Sequence, residues 1–237
     1  MIQGTYYLSV ARKNEFSGIS AEQRGTYNRV LIRAGTPKEL LASLSDYQKK
    51  FILENLEKNA VYETSNSYIK EPVSTRSKLM SDMCLSFICY SFETNGEKQY
   101  QIFPSFQWLG NSYTIEHDAF ELSLHPADFE PIYPNLNDSP VKMAVYFTRP
   151  NGKQISIGSI EQYPEMLDPK QPIADFQMPD GCNKKSDGYY GGCAVYYAKK
   201  IGNDTSTPLL IKYMHQSNTL FHSDVTSYSY SFLLETK

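Results

Sequence analysis

Apolar and polar residues alternate with a period of two along most of the chain after residue 60. This period is typical of strands that bury one face. Asn95-Gly96 and Asn151-Gly152 each separate two apolar runs, and Asn-Gly in that position is a strong signal for an antiparallel hairpin. The pattern predicts a mainly β chain, folded as an antiparallel β-sandwich that is either jelly-roll-like or Ig-like.

Several individual strands can be predicted from the same alternation. Residues 5–10 and the run Tyr27–Arg33 are expected to form the first two. The segment Met83–Phe92 is apolar on both faces, which is typical of a central strand. Pro104 lies in the next run, and because proline donates no ladder hydrogen bond, that strand is expected at an edge or with a bulge.

A short helical insertion is predicted near residues 37–58. Thr36 precedes Pro37 and is followed by Glu39, and Ser45 is followed by Gln48, so two helix starts are indicated. Apolar residues at helical spacing in the second stretch predict that it packs against the sheet.

The chain is expected to form one β-rich domain over residues 1–237. Nine of its thirteen prolines lie between residues 126 and 179, which predicts long surface loops, and a subdivision near 163–181 is the alternative. No repeat of 20–50 residues is present to indicate a repeat architecture.

The composition of the chain excludes some classes of partner and gives evidence on its cellular location. A net charge of −3 provides no basic field for a phosphate backbone, so no nucleic-acid partner is expected. The sequence contains no run of eighteen apolar residues, so no membrane-spanning segment is predicted. The first residues lack the basic and apolar regions of a signal peptide. We expect an extracellular or cell-surface location after removal of a signal, with a cytoplasmic location as the alternative.

The four cysteines bear on the compartment. Cys182 and Cys193 enclose a glycine-rich, turn-forming segment that can bring their sulfurs together, so a disulfide is predicted there. Cys84 and Cys89 are too far apart along one strand to join, and we expect core thiols. The alternative is that all four are buried thiols.

Motifs for common enzymes are absent: the sequence has no P-loop, no dinucleotide glycine pattern, no Gly-x-Ser-x-Gly and no His-Glu-x-x-His. The weak candidates for a metal site are imidazoles and carboxylates in two clusters: His117 and Asp118, and His215, His222 and Asp224. Such residues are usually solvated or structural groups. The prediction leans against an enzyme, and no cofactor is expected.

Aromatic content of 14% is the clearest functional signal. Tyrosine has a flat apolar face and a terminal hydroxyl, which suits stacking on sugars or docking to proteins. Glycines between tyrosines allow a partner to approach the backbone. The alternative is that these tyrosines, like Trp108, fill the core. The predicted ligand-binding residues are Tyr189, Tyr190, Tyr196, Tyr197 and Tyr213.

The sequence therefore predicts a secreted or surface-exposed recognition module that binds carbohydrate or a protein partner through tyrosine-rich loops and strands. The first alternative is a pore-forming toxin-like β protein, because Val225–Ser231 alternates polar and aromatic residues as membrane-inserting hairpins do. The second alternative is a metal-dependent hydrolase that uses the histidine clusters.

Overall fold

A helical segment precedes the strands. The computed structural model describes residues 19–70, 83–109, 117–132, 141–149, 151–152, 154–162, 173–176, 188–219 and 222–236. The helices are α1 (Ala21–Arg33), α2 (Lys38–Ser43) and α3 (Asp46–Asn55). The strands in this part of the chain are β1 (Val61–Lys70), β2 (Met83–Thr94), β3 (Glu97–Trp108), β4 (His117–Leu124), β5 (Phe129–Pro131), β6 (Val141–Thr148), β7 (Gln154–Gln162), β8 (Ile173–Phe176), β9 (Tyr189–Lys200), β10 (Ser206–Thr219) and β11 (His222–Glu235). The strand predicted at residues 5–10 lies outside the described residues.

The strands form two antiparallel sheets, which confirms the mainly β prediction. The larger sheet has the order β1-β2-β3-β9-β6-β7, with β5 also paired to β9. The smaller sheet has the order β11-β10-β4-β8. Strand β1 is thus at one edge of the larger sheet, and β11 is at one edge of the smaller sheet.

The larger sheet is the middle layer of three. One apolar cluster fills the space between the two sheets and includes Leu85 and Phe87 of β2. A second cluster lies between the larger sheet and the helices and includes Ile88 and Tyr90 of the same strand. Because β2 is buried on both faces, the prediction of a central strand at Met83–Phe92 is confirmed.

Helix α1 replaces the strand predicted at Tyr27–Arg33, so that prediction is wrong. The helix begins with a capping box in which the Ser20 side chain accepts from Gln23 N and the Gln23 side chain accepts from Ser20 N. Because the helix begins upstream of the apolar run, the run continues the helix and does not form a strand. Only Leu31 of the run is buried.

The second and third helices confirm the predicted insertion, but only one predicted cap is formed. Ser45 and Gln48 form the capping box of α3. Helix α2 instead has Pro37 at the N-cap with no side-chain cap bond. The Thr36 hydroxyl lies 2.8 Å from the Tyr90 hydroxyl, so it binds the sheet rather than the helix. No helix among the described residues is long and apolar enough to cross a membrane.

Two glutamines of the larger sheet hold α3 at both ends. Near the N-terminus, the Gln154 side chain accepts a bond of 2.9 Å from Tyr47 N. At the C-terminus, the fully buried Gln101 accepts from Glu57 N at 2.8 Å and donates to Asn55 O at 2.6 Å. Backbone groups that the helix leaves unpaired are therefore satisfied by the sheet.

Both hairpins predicted from Asn-Gly are formed, at β2–β3 and at β6–β7. Pro104, however, lies in a central strand rather than at an edge, so that prediction is wrong. Strand β3 pairs with β9 up to Ile102 and again from Ser105 in the same register. The ladder skips the proline because proline has no N–H to donate.

Candidate functional site

Four of the five tyrosines predicted to bind a ligand are packing residues in this fold. Tyr190, Tyr196 and Tyr213 lie in the cluster between the sheets, and Tyr197 lies in the cluster beneath the helices. These four are at most 5% exposed. Tyr189 is partly buried against the first cluster. Their rings are covered by neighbouring side chains, so a binding surface has to be built from other residues.

The glycines between these tyrosines serve packing as well. A Cβ atom at Gly191 would lie 2.6 Å from Cζ of Tyr146, and one at Gly192 would overlap the Phe106 ring. Successive residues of a strand face opposite sides of a sheet. Accordingly, Tyr146 belongs to the cluster on the helix side and Phe106 to the cluster between the sheets. The glycine pair admits one ring on each face.

Trp108 is a core residue, as predicted, with 3% of its surface exposed. Its Nε1 donates to the Tyr213 hydroxyl at 3.4 Å. The rings of Tyr213 and Tyr228 meet the indole edge to face, with centroids 5.7 and 5.5 Å away. This group fixes Tyr213 and Tyr228 in the space between the sheets.

The metal candidates lie toward one end of the smaller sheet. His215 is the register partner of Asp118 on β4, and His117 is opposite the next residue of β10. His222 and Asp224 lie where β11 starts. No group of three or more His, Cys, Asp or Glu that could hold a metal ion is found among the described residues.

The predicted disulfide is not formed, because Cys193 is a free thiol in the structure. Cys193 lies within β9, between β3 and β6, and is 2% exposed. Its predicted partner, Cys182, lies outside the described residues. Cys84 and Cys89 are unpaired, as expected. Burial raises the pKa of the Cys89 and Cys193 thiols, so both remain protonated and unreactive near neutral pH.

An exposed aromatic site lies where the edge strands of the two sheets meet. The rings of Tyr68 on β1 and Tyr230 on β11 are stacked, with centroids 3.8 Å apart and an interplanar angle of 12°. Tyr230 is 37% exposed and Tyr68 is partly exposed. We call this edge, formed by residues 64–69 and 228–233, the tyrosine seam.

The stacked pair is anchored to the core by a chain of ring contacts. Tyr230 meets Phe232 at 4.8 Å between centroids, and Phe232 meets Phe87 at 5.3 Å. Phe87 and Phe232 are each 1% exposed. The exposed rings are therefore held by a rigid interior, which lowers the entropy lost when a partner binds them.

The two strand segments that hold the stacked pair contain no charged residue. Residues 64–69 and 225–234 contain no Asp, Glu, Lys or Arg. Asn66, Ser67 and Ser231 are exposed in the same two strand segments. Glu63, further along β1, is buried and accepts a bond of 2.7 Å from Lys98. Exposed hydroxyl and amide groups in the seam thus alternate with two exposed apolar side chains, Ile69 and Leu233.

Sequence reasoning missed Tyr68 and left Tyr230 out of the predicted site. Both lie in uncharged, serine-rich stretches, Thr64–Ile69 and Val225–Leu234. The uncharged, serine-rich composition that the two stretches share could have indicated the site from the sequence. Their contact in the fold could not have been predicted, since β1 and β11 belong to different sheets and share no ladder.

Comparisons with known proteins leave the family open. No protein-family model matches the chain, and no curated protein sequence matches it. Several solved structures are similar to it at low sequence identity. A structure described as a pore forming protein is 9% identical, covers 76% of this chain and 95% of its own, and has a TM-score of 0.42.

Two further similarities are weaker. The Clostridium perfringens delta-toxin is 8% identical over 76% of this chain and 95% of its own, with a TM-score of 0.33. The collagen-binding domain from a Staphylococcus aureus adhesin is 7% identical over 61% of this chain and 95% of its own, with a TM-score of 0.32. No residue role is transferred from similarities at this level.

Proposed function

We propose that this protein is a recognition module that binds its partner at the tyrosine seam. The observation that carries the proposal is the stacked pair Tyr68 and Tyr230 at an exposed edge of the sandwich. Aromatic rings that are held rigidly and left partly open supply a large contact area at low entropic cost. Of the five tyrosines that the sequence predicted to bind a ligand, four are buried in the core and Tyr189 is partly buried against it.

The location of the partner is part of this proposal. An extracellular or cell-surface role was expected from the sequence, and it stays a prediction. This expectation was based in part on a disulfide between Cys182 and Cys193, and Cys193 is a free thiol in the structure. A test with intact cells therefore addresses location and binding together.

The test compares binding of labelled protein to intact bacterial and mammalian cells by flow cytometry. Tyr68→Ala and Tyr230→Ala are expected to reduce binding at least tenfold. Tyr27→Ala is the matched control, because Tyr27 is a partly exposed tyrosine on α1, on the helical side of the larger sheet. Circular dichroism verifies that each variant is folded. Unchanged binding by both folded seam variants would remove the seam from the site.

A second candidate function, pore formation, is favoured by the β10–β11 hairpin. Its two strands pair without a register shift from Ser206 and Glu235 to Thr219 and His222, and 14 residues in each strand exceed the length of about 9–11 that a membrane-crossing strand needs. The apolar face of β11 is already used in the core, where Tyr228, Phe232 and Leu234 are buried. Insertion would therefore require this strand to leave the sandwich.

Dye release from liposomes separates the two functions. Recognition at the seam predicts no release at protein concentrations that saturate cell binding. Release that is abolished when a disulfide or other cross-link ties β11 to β2 would favour pore formation instead.

A further inference from the structure

We infer that the ligand of the tyrosine seam is a neutral glycan, bound by stacking of a pyranose ring against the Tyr68–Tyr230 pair. This inference rests on the proposed function. It adds the chemical class of the partner, which the stacked pair alone leaves open.

The charge of the seam selects an uncharged ligand. Residues 64–69 and 225–234 contain no charged side chain. The nearby carboxylate of β1, Glu63, is buried and already paired with Lys98. Lys212, the register partner of Ser229, is paired with Glu121 at 3.8 Å. An anionic ligand such as a phosphate, a sulfate or an acidic sugar would have to give up hydration and compete with Glu121 for this cation. A neutral sugar has no such cost.

The shape and polarity of the seam match a sugar ring. A pyranose has an apolar face of C–H groups, which packs on an aromatic ring, and a rim of hydroxyl groups. Asn66, which carries an exposed amide, lies two residues before Tyr68 on the same face of β1, and the exposed hydroxyl groups of Ser67 and Ser231 lie on the opposite faces of their strands. Hydroxyl and amide side chains both donate and accept, which suits sugar hydroxyls that do the same.

A protein partner fits the composition of the seam less well. Protein interfaces are depleted in serine and favour arginine and large aromatic residues at their centre. Four serines lie in the seam, at Ser65, Ser67, Ser229 and Ser231. Residues 64–69 and 225–234 contain no arginine. In its serine and arginine content, the seam thus resembles a sugar-binding surface more than a protein-binding one.

The experiment is affinity electrophoresis of the full chain in gels that contain single polysaccharides. The neutral probes are a β-glucan, a mannan, a galactan and starch, and the anionic probes are heparin and polygalacturonate. At least one neutral polysaccharide is expected to retard the protein, and neither anionic one is. Tyr230→Ala should weaken binding at least tenfold. Tyr230→Phe, which keeps the ring, should weaken it less than fivefold, and Tyr27→Ala should leave it unchanged.

Cell binding separates failure of this inference from failure of the proposed function. Binding to cells that is lost after periodate oxidation of their glycans, and kept after protease treatment, supports a glycan. Binding that depends on Tyr230 but survives periodate and is lost after protease treatment overturns the glycan while the seam stands. If neither seam substitution affects binding, the proposed function is wrong. If the protein binds to no cell and to no polysaccharide, both the proposed function and the glycan inference are wrong.

Discussion

The two adjacent glycines of β9 show how single residues determine which rings enter the core. Gly192→Ala would place a methyl group against Cε1 and Cζ of Phe106, closer than van der Waals contact allows, and the Phe106 ring packs against Phe120 and Tyr213. Overpacking of this kind costs about 1–3 kcal/mol. Urea unfolding of the variant should show a loss of that size in the free energy of unfolding.

The control for this prediction is the same substitution on α1. Gly25 has no atom within 4 Å of the position of an added Cβ, and alanine is the better helix former by about 1 kcal/mol. Gly25→Ala should therefore leave the protein as stable as before or make it more stable. If both variants lose equal stability, the clash at Phe106 is not the cause.

Buried tyrosines predict that the protein loses stability at alkaline pH. Burial raises the pKa of Tyr90 to about 12, although the Thr36 hydroxyl opposes the shift. The folded state thus holds the phenol proton above pH 10, where the unfolded chain releases it. The contribution is complete below about pH 10 and declines by up to about 1.4 kcal/mol per pH unit until pH 12.

Urea unfolding of the wild type and Tyr90→Phe between about pH 9 and 12 tests this linkage. The variant should be less stable than the wild type near neutral pH, because Thr36 loses its bond to the Tyr90 hydroxyl, at a cost of about 1 kcal/mol. Its stability should fall less steeply above pH 10. Parallel curves for the two proteins would show that Tyr90 does not titrate as a buried group.

At the residue scale, the sequence predicted the abundance of aromatic rings but not their exposure. Tyr213 and Tyr230 both alternate with polar residues in strands. Tyr213 is 1% exposed and Tyr230 is 37% exposed. Tyr213 lies in β10, between β11 and β4. On the edge strand β11, Tyr228 and Phe232 pack against the buried rings of Trp108 and Phe87, whereas Tyr230 stacks on Tyr68, which is itself partly exposed. Strand order depends on contacts between distant segments, which local patterns do not contain.

At the scale of elements, the helical layer depends on the polar contacts of α3 with the sheet. Gln101→Ala would leave Glu57 N without its acceptor, and Asn55 O would keep the longer bond of 3.4 Å from the Tyr197 hydroxyl. A buried group that loses its hydrogen bond costs about 1–3 kcal/mol. Hydrogen exchange measured by mass spectrometry should therefore become faster in peptides that cover α3.

The matched control is Gln99→Ala, two residues earlier on the same strand and partly exposed. Exchange in α3 should be unchanged in that variant. Peptides from β10 and β11 should keep their protection in both variants, because they lie on the far side of the larger sheet. If hydrogen exchange becomes faster by the same factor throughout the Gln101→Ala variant, then Gln101 does not stabilise α3 locally.

Element types were predictable where a signal in one short segment decides them. Asn95-Gly96 produced the expected hairpin, with positive φ angles of 53° and 79°. The capping box at Ser45 produced the expected helix. The run Tyr27–Arg33 misled, because its β-branched residues favour a strand while the helix start at Ser20 lies outside the run. A pattern confined to a short window cannot include such a start.

At the scale of the whole molecule, the larger sheet couples the two apolar clusters. Neighbouring residues of β9 belong to different clusters: Tyr196 packs between the sheets, and Tyr197 packs beneath the helices. Removing either outer layer would expose one complete face of this sheet. We therefore expect the helical layer and the sandwich to unfold as one cooperative unit, in keeping with the prediction of a single domain.

The single tryptophan makes this expectation measurable. Trp108 belongs to the cluster between the sheets, so its fluorescence reports on the smaller sheet and its contacts. The helical part of the circular dichroism spectrum reports on the opposite layer. In a urea titration the two signals should change at the same midpoint, since neither layer keeps its buried apolar surface when the other leaves. If the helical signal disappears at lower urea while Trp108 emission stays unchanged, the helices form a separate unit, and the single-domain prediction is wrong.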